Sequence, residues 1–177
     1  MKFKDPTSSE AALNFLIALG APPRLTRHGE IVAESAAQLS AALTKLGVTH
    51  DAAVVIVAAV LHDAGKIIHP EELDGPGNKH EAAGERLLIE QGCSPALACI
   101  CRSHGQWDSD DLSIEEVIVA LADAVWKGER ADQLEKLLIE HVSGQLNLDK
   151  WKAFLLLDSV VEHIADGAEE RLARARC

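Results

Sequence analysis

Tyrosine is missing from this chain, and tryptophan and phenylalanine together bring the aromatic share to only 3%. The apolar residues are mostly Ala, Leu, Ile and Val, set in Ala/Leu/Glu-rich stretches that favour helices over strands. An all-α fold is expected. Positive charge is also scarce: 17 Lys and Arg against 28 Asp and Glu leave a formal charge of −11. Duplex binding relies on a concentrated Lys/Arg face, so DNA and long RNA are excluded as partners. The opening Met-Lys-Phe-Lys-Asp is followed by no apolar signal core, and no apolar run reaches the about 20 residues needed to span a bilayer. A cytoplasmic protein that does not enter the membrane is expected. Cysteine occurs four times, at Cys93, Cys99, Cys101 and Cys177, without C-x-x-C spacing. Cys99 and Cys101, two apart, point in different directions on a helix and are poorly placed to share a tetrahedral zinc, so small buried thiols in a reducing compartment are the expectation. Internal repeats and low-complexity segments are absent.

What is present is a large apolar fraction, 47% of 177 residues, enough for one domain with its own core. A single helical domain over 1–177 is expected, its motif-bearing part about 24–130, with helices in about 131–176 packing on it. The first helix should cover about 9–19 and stop at Gly20 and Pro22-Pro23. In about 26–46, His28, Ile31, Val32, Ala36, Leu39, Leu43 and Leu46 recur at helical spacing, with Gly47 as the stop. Residues 51–63 are nearly all apolar. They read as a buried helix capped by Thr49 and stopped by Gly65, although the Ala-Val-Val-Ile-Val run also suits a buried strand; the lack of a second convincing strand favours the helix.

Residues 69–79, rich in Pro, Gly, Asp and Asn, read as an exposed loop that would serve as a lid. Helices are then expected from about 78–80 to 91, with Gly92 as the stop, and from Ser94-Pro95 to 103. The capping box Ser113-Ile114-Glu115-Glu116 opens another that reaches about Trp126. Two more should follow, about 131–142 and about 148–173, the last amphipathic through Trp151, Leu155, Val161 and Ile164, with Trp151 and Phe154 in the core.

One stretch organises the rest. In Val60-Leu61-His62-Asp63-Ala64-Gly65-Lys66 an apolar run ends in a histidine beside an aspartate. A carboxylate taken out of water costs several kcal/mol unless a positive partner meets it, and a helix C-terminus itself favours a bound cation. His28, His80, His104 and Asp123 likewise stand at the start or end of apolar helices, or inside one. Each alone suits a hydrogen-bonded structural residue; together they suit metal ligation.

That order resembles the HD-domain metal-dependent phosphohydrolases, whose pattern is a histidine, a His-Asp pair and a distant aspartate. The matching residues are His28 in Arg24-Leu25-Thr26-Arg27-His28, the pair in Leu61-His62-Asp63-Ala64-Gly65-Lys66, and Asp123 in Ala120-Leu121-Ala122-Asp123. A two-metal branch adds two histidines between the pair and the last aspartate, where His80-Glu81-Ala82-Ala83-Gly84 and Ser103-His104-Gly105 stand. The resemblance covers about 24–130 and implies a compact multi-helix bundle. It implies one or two divalent transition metal ions, with Fe, Mn, Co, Ni or Zn all compatible with imidazole and carboxylate donors. His28, His62, Asp63 and Asp123 would hold one ion, and Asp63 would bridge to a second on His80 and His104.

Asp63 and Lys66 are the catalytic candidates. Lys66 ranks first for gripping substrate phosphate, followed by Arg27, Arg102 and Lys127, with Lys79 and Arg130 read as surface charges. No second histidine adjoins His80 and no Gly-Tyr-Pro signature follows, so cyclic dinucleotide turnover is not supported. The chain also lacks the accessory length of the large guanosine tetraphosphate hydrolases. The expected reaction is hydrolysis of a phosphate ester or anhydride of a small, nucleotide-like substrate by a metal-activated water. Two alternatives stay open: a di-iron oxygenase acting on a phosphonate or polyol, and a metal-retaining nucleotide-binding regulatory module. A monomer and a homodimer fit equally well.

Overall fold

The apolar run after Asp51 is a helix. A computed structural model describes residues 4–107 and 111–176, so Cys177 lies outside the described residues. The helices are α1 (Ser9–Ala18), α2 (Pro23–Leu46), α3 (Ala52–Leu61), α4 (Lys79–Gln91), α5 (Pro95–Ala98), α6 (Ile100–Ser103), α7 (Ile114–Val125), α8 (Asp132–Leu146), α9 (Lys150–Asp166) and α10 (Ala168–Arg176). Short 3-10 turns occupy Ala64–Ile67 and Pro70–Leu73, and no strand occurs among the described residues. The expected all-α class is what is found.

Helix α3 lies at the centre, packed against α2, α7 and α1. Val55, Val57, Ala58, Ala59, Val60 and Leu61 are all buried. Leu16, Ile31, Leu39, Leu43, Ile118 and Leu121 surround them without solvent contact, each contributing about 1.5–3 kcal/mol of apolar burial. The N-cap of α3 is Asp51, not Thr49: its Oδ1 accepts from the N–H groups of Ala53 and Val54, both at 3.0 Å. A carboxylate two and three residues ahead of those donors also meets the positive end of the helix dipole. The capping box on Ser113 and Glu116 forms as its sequence predicts.

Three sequence expectations are revised. Helix α2 starts at Pro23, because proline is tolerated at a first helical position where its missing N–H costs nothing. The expected final helix is two, α9 and α10, parted at Gly167, where the Arg171 guanidinium lies within 2.8 Å of the position a Cβ would take. Trp151 is not core: it is 64% exposed, and Leu155 is 54% exposed. The buried face of α9 is instead Ala153, Leu157, Val161 and Ile164.

Candidate metal centre

Six side chains from elements far apart in sequence converge at the C-terminal end of α3. His62 is the residue that caps α3, and Asp63 precedes the 64–67 turn. His28 reaches them from the first turns of α2, because Gly29 lets that backbone press onto α3: a Cβ there would lie 2.8 Å from the Val60 carbonyl oxygen. His80 arrives in the first turn of α4. Gly65 and Gly84 make that approach possible, since a Cβ on Gly65 would collide with the His80 carbonyl and one on Gly84 would lie 2.8 Å from the Gly65 nitrogen. The sequence reading of Gly65 as a helix stop is therefore replaced by close backbone packing. His104 follows α6, and Asp123 comes from the last turn of α7.

Asp63 divides its two oxygens between two sets of neighbours. Oδ2 lies 3.2 Å from His28 Nε2 and 3.5 Å from His62 Nε2. Asp123 Oδ1 lies 3.3 and 3.5 Å from the same two nitrogens. Oδ1 of Asp63 faces His80 Nε2 at 3.2 Å and His104 Nε2 at 3.6 Å. His62, Asp63, His80 and His104 are buried, whereas the side chains of His28 and Asp123 retain 22% and 30% of their exposure. The cluster is thus open on the His28 and Asp123 side. His28, His62 and Asp123 form one group able to hold a metal ion; His62, Asp63 and His104 form another.

The outward nitrogens fix which way the rings point. His62 Nδ1 lies 2.7 Å from the Ala59 carbonyl and His104 Nδ1 3.2 Å from the Ile100 carbonyl. A carbonyl only accepts, so both Nδ1 atoms carry the hydrogen and the Nε2 lone pairs face the centre. His80 Nδ1 donates to Glu72 Oε2 at 2.6 Å. The Nε2 atoms of His80 and His104 then oppose each other at 3.4 Å, next to Asp63 Oδ1, which is buried without a hydrogen-bond partner. Three acceptors meeting in this way call for a proton or a cation between them. A set of imidazoles and carboxylates around an orphaned carboxylate oxygen fits a divalent metal.

Among the protein groups alone, charge is already balanced toward a cation. Burial opposes protonation of His28, but Asp123 and Asp63 outweigh it and lift the imidazole to about 9. His80 is also raised, burial being overcome by Asp63 and Glu72. His104 is pushed down to about 4 by burial and by His62. Burial works against ionisation of Asp63 and Asp123 too, yet His62 and His28 hold both well below the usual carboxylate range.

Glu72 is the residue that sequence reasoning missed. The 69–79 segment is not simply an exposed loop: the Pro70–Leu73 turn carries Glu72 into the protein, where it is 7% exposed. Its Oε1 accepts from the Lys79 N–H at 3.1 Å, and Oε2 from the His80 N–H at 3.0 Å as well as from the ring. Burial opposes this charge, and the bonds from His80 and Lys79 hold the carboxyl down at about 2. One side chain thereby caps α4, whose Asn78 makes no side-chain cap bond, and orients a candidate ligand. Nothing local marks Glu72 out from its exposed neighbour Glu71. On the other side, Gln106 donates to Glu81 Oε2 at 2.5 Å and fixes the turn after His104.

Beside the cluster lies a cavity of about 330 Å³ lined by His28, Asp63, Lys66, Arg24 and Trp126, and also by Leu172 and Arg176. Lys66 Nζ donates to Asp63 Oδ2 at 2.6 Å. The other cations singled out by sequence are not in that lining. Arg102 donates through Nε to Glu85 at 2.8 Å, Lys127 pairs with Glu129 at 3.3 Å, and Arg27 lies outside the cavity wall. Arg24 and Arg176 line it instead, one residue just ahead of the first motif and one near the other end of the chain.

A central apolar helix ends in His-Asp, ringed by three more histidines and an aspartate, in groups that could hold a metal ion. The family model described as the HD domain matches residues 26–126, and the chain belongs to that family. HD domains make up a superfamily of metal-dependent phosphohydrolases that bind divalent metals. No curated protein and no solved structure matches the chain. No helix among the described residues is long and apolar enough to cross a membrane.

Proposed function

We propose that this chain is a metal-dependent phosphohydrolase of the two-metal HD branch, acting on a phosphate ester or anhydride of a small, nucleotide-like molecule. The observation that carries this reading is Asp63, with one oxygen facing His28 and His62 and the other facing His80 and His104. On this reading His28, His62, Asp63 and Asp123 would hold one ion, and Asp63, His80 and His104 would hold a second. Bound there, divalent ions supply an acidified water and an electrophile for the phosphoryl oxygens.

The chain's own groups do the positioning. The Ala59 and Ile100 carbonyls keep His62 and His104 in the tautomer that presents Nε2 inward. Glu72 does the same for His80. Lys66, on the cavity wall and 2.6 Å from Asp63, offers an ammonium to the phosphate that arrives beside it. A cavity of about 330 Å³ is at the small end of ligand sites, which run from about 300 to 1,000 Å³, and suits a mononucleotide-sized body.

The test is to load the purified protein with Mn²⁺, Fe²⁺, Co²⁺, Ni²⁺ or Zn²⁺ and screen phosphomonoesters, phosphodiesters and nucleotides. Turnover lost in His62→Ala supports the reading; no turnover with any metal sinks it. Oxygen consumption with a di-iron optical spectrum would instead assign an oxygenase. Metal analysis tests the bridge: Asp63→Ala should lose both ions and His104→Ala mainly one, and equal loss in the two variants would break the assignment.

A further inference from the structure

The family match ends at residue 126, yet the cavity is walled by residues from well beyond it, Leu172, Ala175 and Arg176 of α10. Three arginines of that helix do three different things. Arg171, 7% exposed, donates Nε to the Trp126 carbonyl at 2.8 Å and a terminal nitrogen to the Ile164 carbonyl. Arg174 grips both carboxylate oxygens of Glu34 on α2, at 2.8 and 2.5 Å. These two fasten the helix across α2 and the end of α7. Arg176 makes no ion pair among the described residues and lines the cavity.

Arg24 lines the cavity from α2, one helical turn before His28, about 6 Å along the axis. Its partner is Asp74, and the two side chains are 59% and 76% exposed. Water screens a pair this exposed, and its net attraction is weak, so Arg24 exchanges Asp74 for another anion at little cost. Leu25, Leu73, Leu172, Ala175 and Trp126 supply the apolar part of the wall. In a chain of net charge −11, two guanidiniums and Lys66 around one small cavity are a local reversal of sign. Guanidinium forks match carboxylates and phosphates in a way that point charges do not.

We propose that Arg24 and Arg176 form a second anion subsite, so that the substrate is a compact phosphate compound carrying another anionic group, phosphate or carboxylate, besides the phosphate that meets Lys66. Which end reacts rests on the phosphohydrolase reading; recognition of two anions does not.

Calorimetric titration of the Mn²⁺-loaded full chain tests this with two pairs of probes: 3-phosphoglycerate against glycerol 3-phosphate, and fructose 1,6-bisphosphate against fructose 6-phosphate. Where a probe is turned over, KM replaces the binding constant. In at least one pair the two-anion member should bind about tenfold more tightly, and which pair discriminates tells a carboxylate from a phosphate. Arg176→Ala and, on α2, Arg24→Ala should each weaken that member about tenfold and leave its one-anion partner within about twofold, with Arg176→Lys recovering part of the loss. Equal binding within both pairs, or equal loss across a pair in the variants, overturns the subsite. Discrimination without hydrolysis of any phosphate compound would leave the subsite standing and remove the phosphohydrolase reading instead.

Discussion

At the scale of single residues, Glu72 joins two tasks that proteins usually give to different side chains. It satisfies the first N–H groups of α4 and sets the tautomer of His80. Glu72→Gln keeps the shape but loses the charge. Outer partners of this kind are worth 10- to 100-fold in metal affinity, so on the proposed two-ion assignment the variant should bind an ion at His80 and His104 more weakly by about that factor and keep one at His28 and Asp123. Metal titration followed by elemental analysis checks it. His28 carries a pH signature. Its folded value of about 9 lies above the ordinary 6.5, so its stabilisation is fully present below pH 6.5 and is lost as the pH climbs to 9. Chelator-treated protein should lose on the order of 3 kcal/mol across that window by urea midpoint. His28→Gln should flatten the slope, and an unchanged slope would refute the assignment. His62, Asp63 and Asp123 were legible because each interrupts or ends an apolar pattern, and His28, His80 and His104 because their order along the chain resembles that of the family. Glu72, Arg24 and Arg176 were not, because each stands in a polar stretch whose meaning depends on contacts with distant parts of the chain.

At the scale of elements, the contacts that bring the cluster together run through glycines. Helix α4 and the 64–67 turn touch backbone to backbone at Gly65 and Gly84. Gly65→Ala has nowhere to put its methyl except into the His80 carbonyl, so α4 must retreat and take His80 with it. A loss of about 3 kcal/mol or more is expected, with reduced metal uptake, measured by thermal unfolding and metal analysis. Wild-type uptake in a folded Gly65→Ala protein would show that the approach is not needed. The helices themselves were readable from caps and periodicity, as with Ser113 and the run after Asp51. The break at Gly167 was not, since helical periodicity continues across it and the Arg171 clamp that holds α10 comes from tertiary structure. Trp151 misled for another reason: with Leu155 it stands two residues out of register with the buried stripe Ala153, Leu157, Val161 and Ile164, so its size and apolarity suggested core on a face that points to solvent.

At the scale of the whole molecule, the cluster is where residues 28, 62–63, 80, 104 and 123 meet, so occupancy and global stability are linked. Ligand at 100 times its dissociation constant adds about 2.7 kcal/mol, which for a chain of this size raises the melting temperature by about 5–10 °C.

The division of Asp63 between two sets of neighbours also has a kinetic consequence. The His28, His62, Asp63 and Asp123 set needs α2, the end of α3 and α7 together, and the His80 and His104 set needs α4 and the end of α6 beside Asp63, so each draws on contacts between distant parts of the chain, of the kind that form late in folding. Interactions absent from the transition state act on unfolding alone. Divalent metal should therefore slow unfolding in a denaturant series while leaving the refolding limb where it was. A refolding limb that accelerates with metal would mean that the ion gathers these helices rather than locking them.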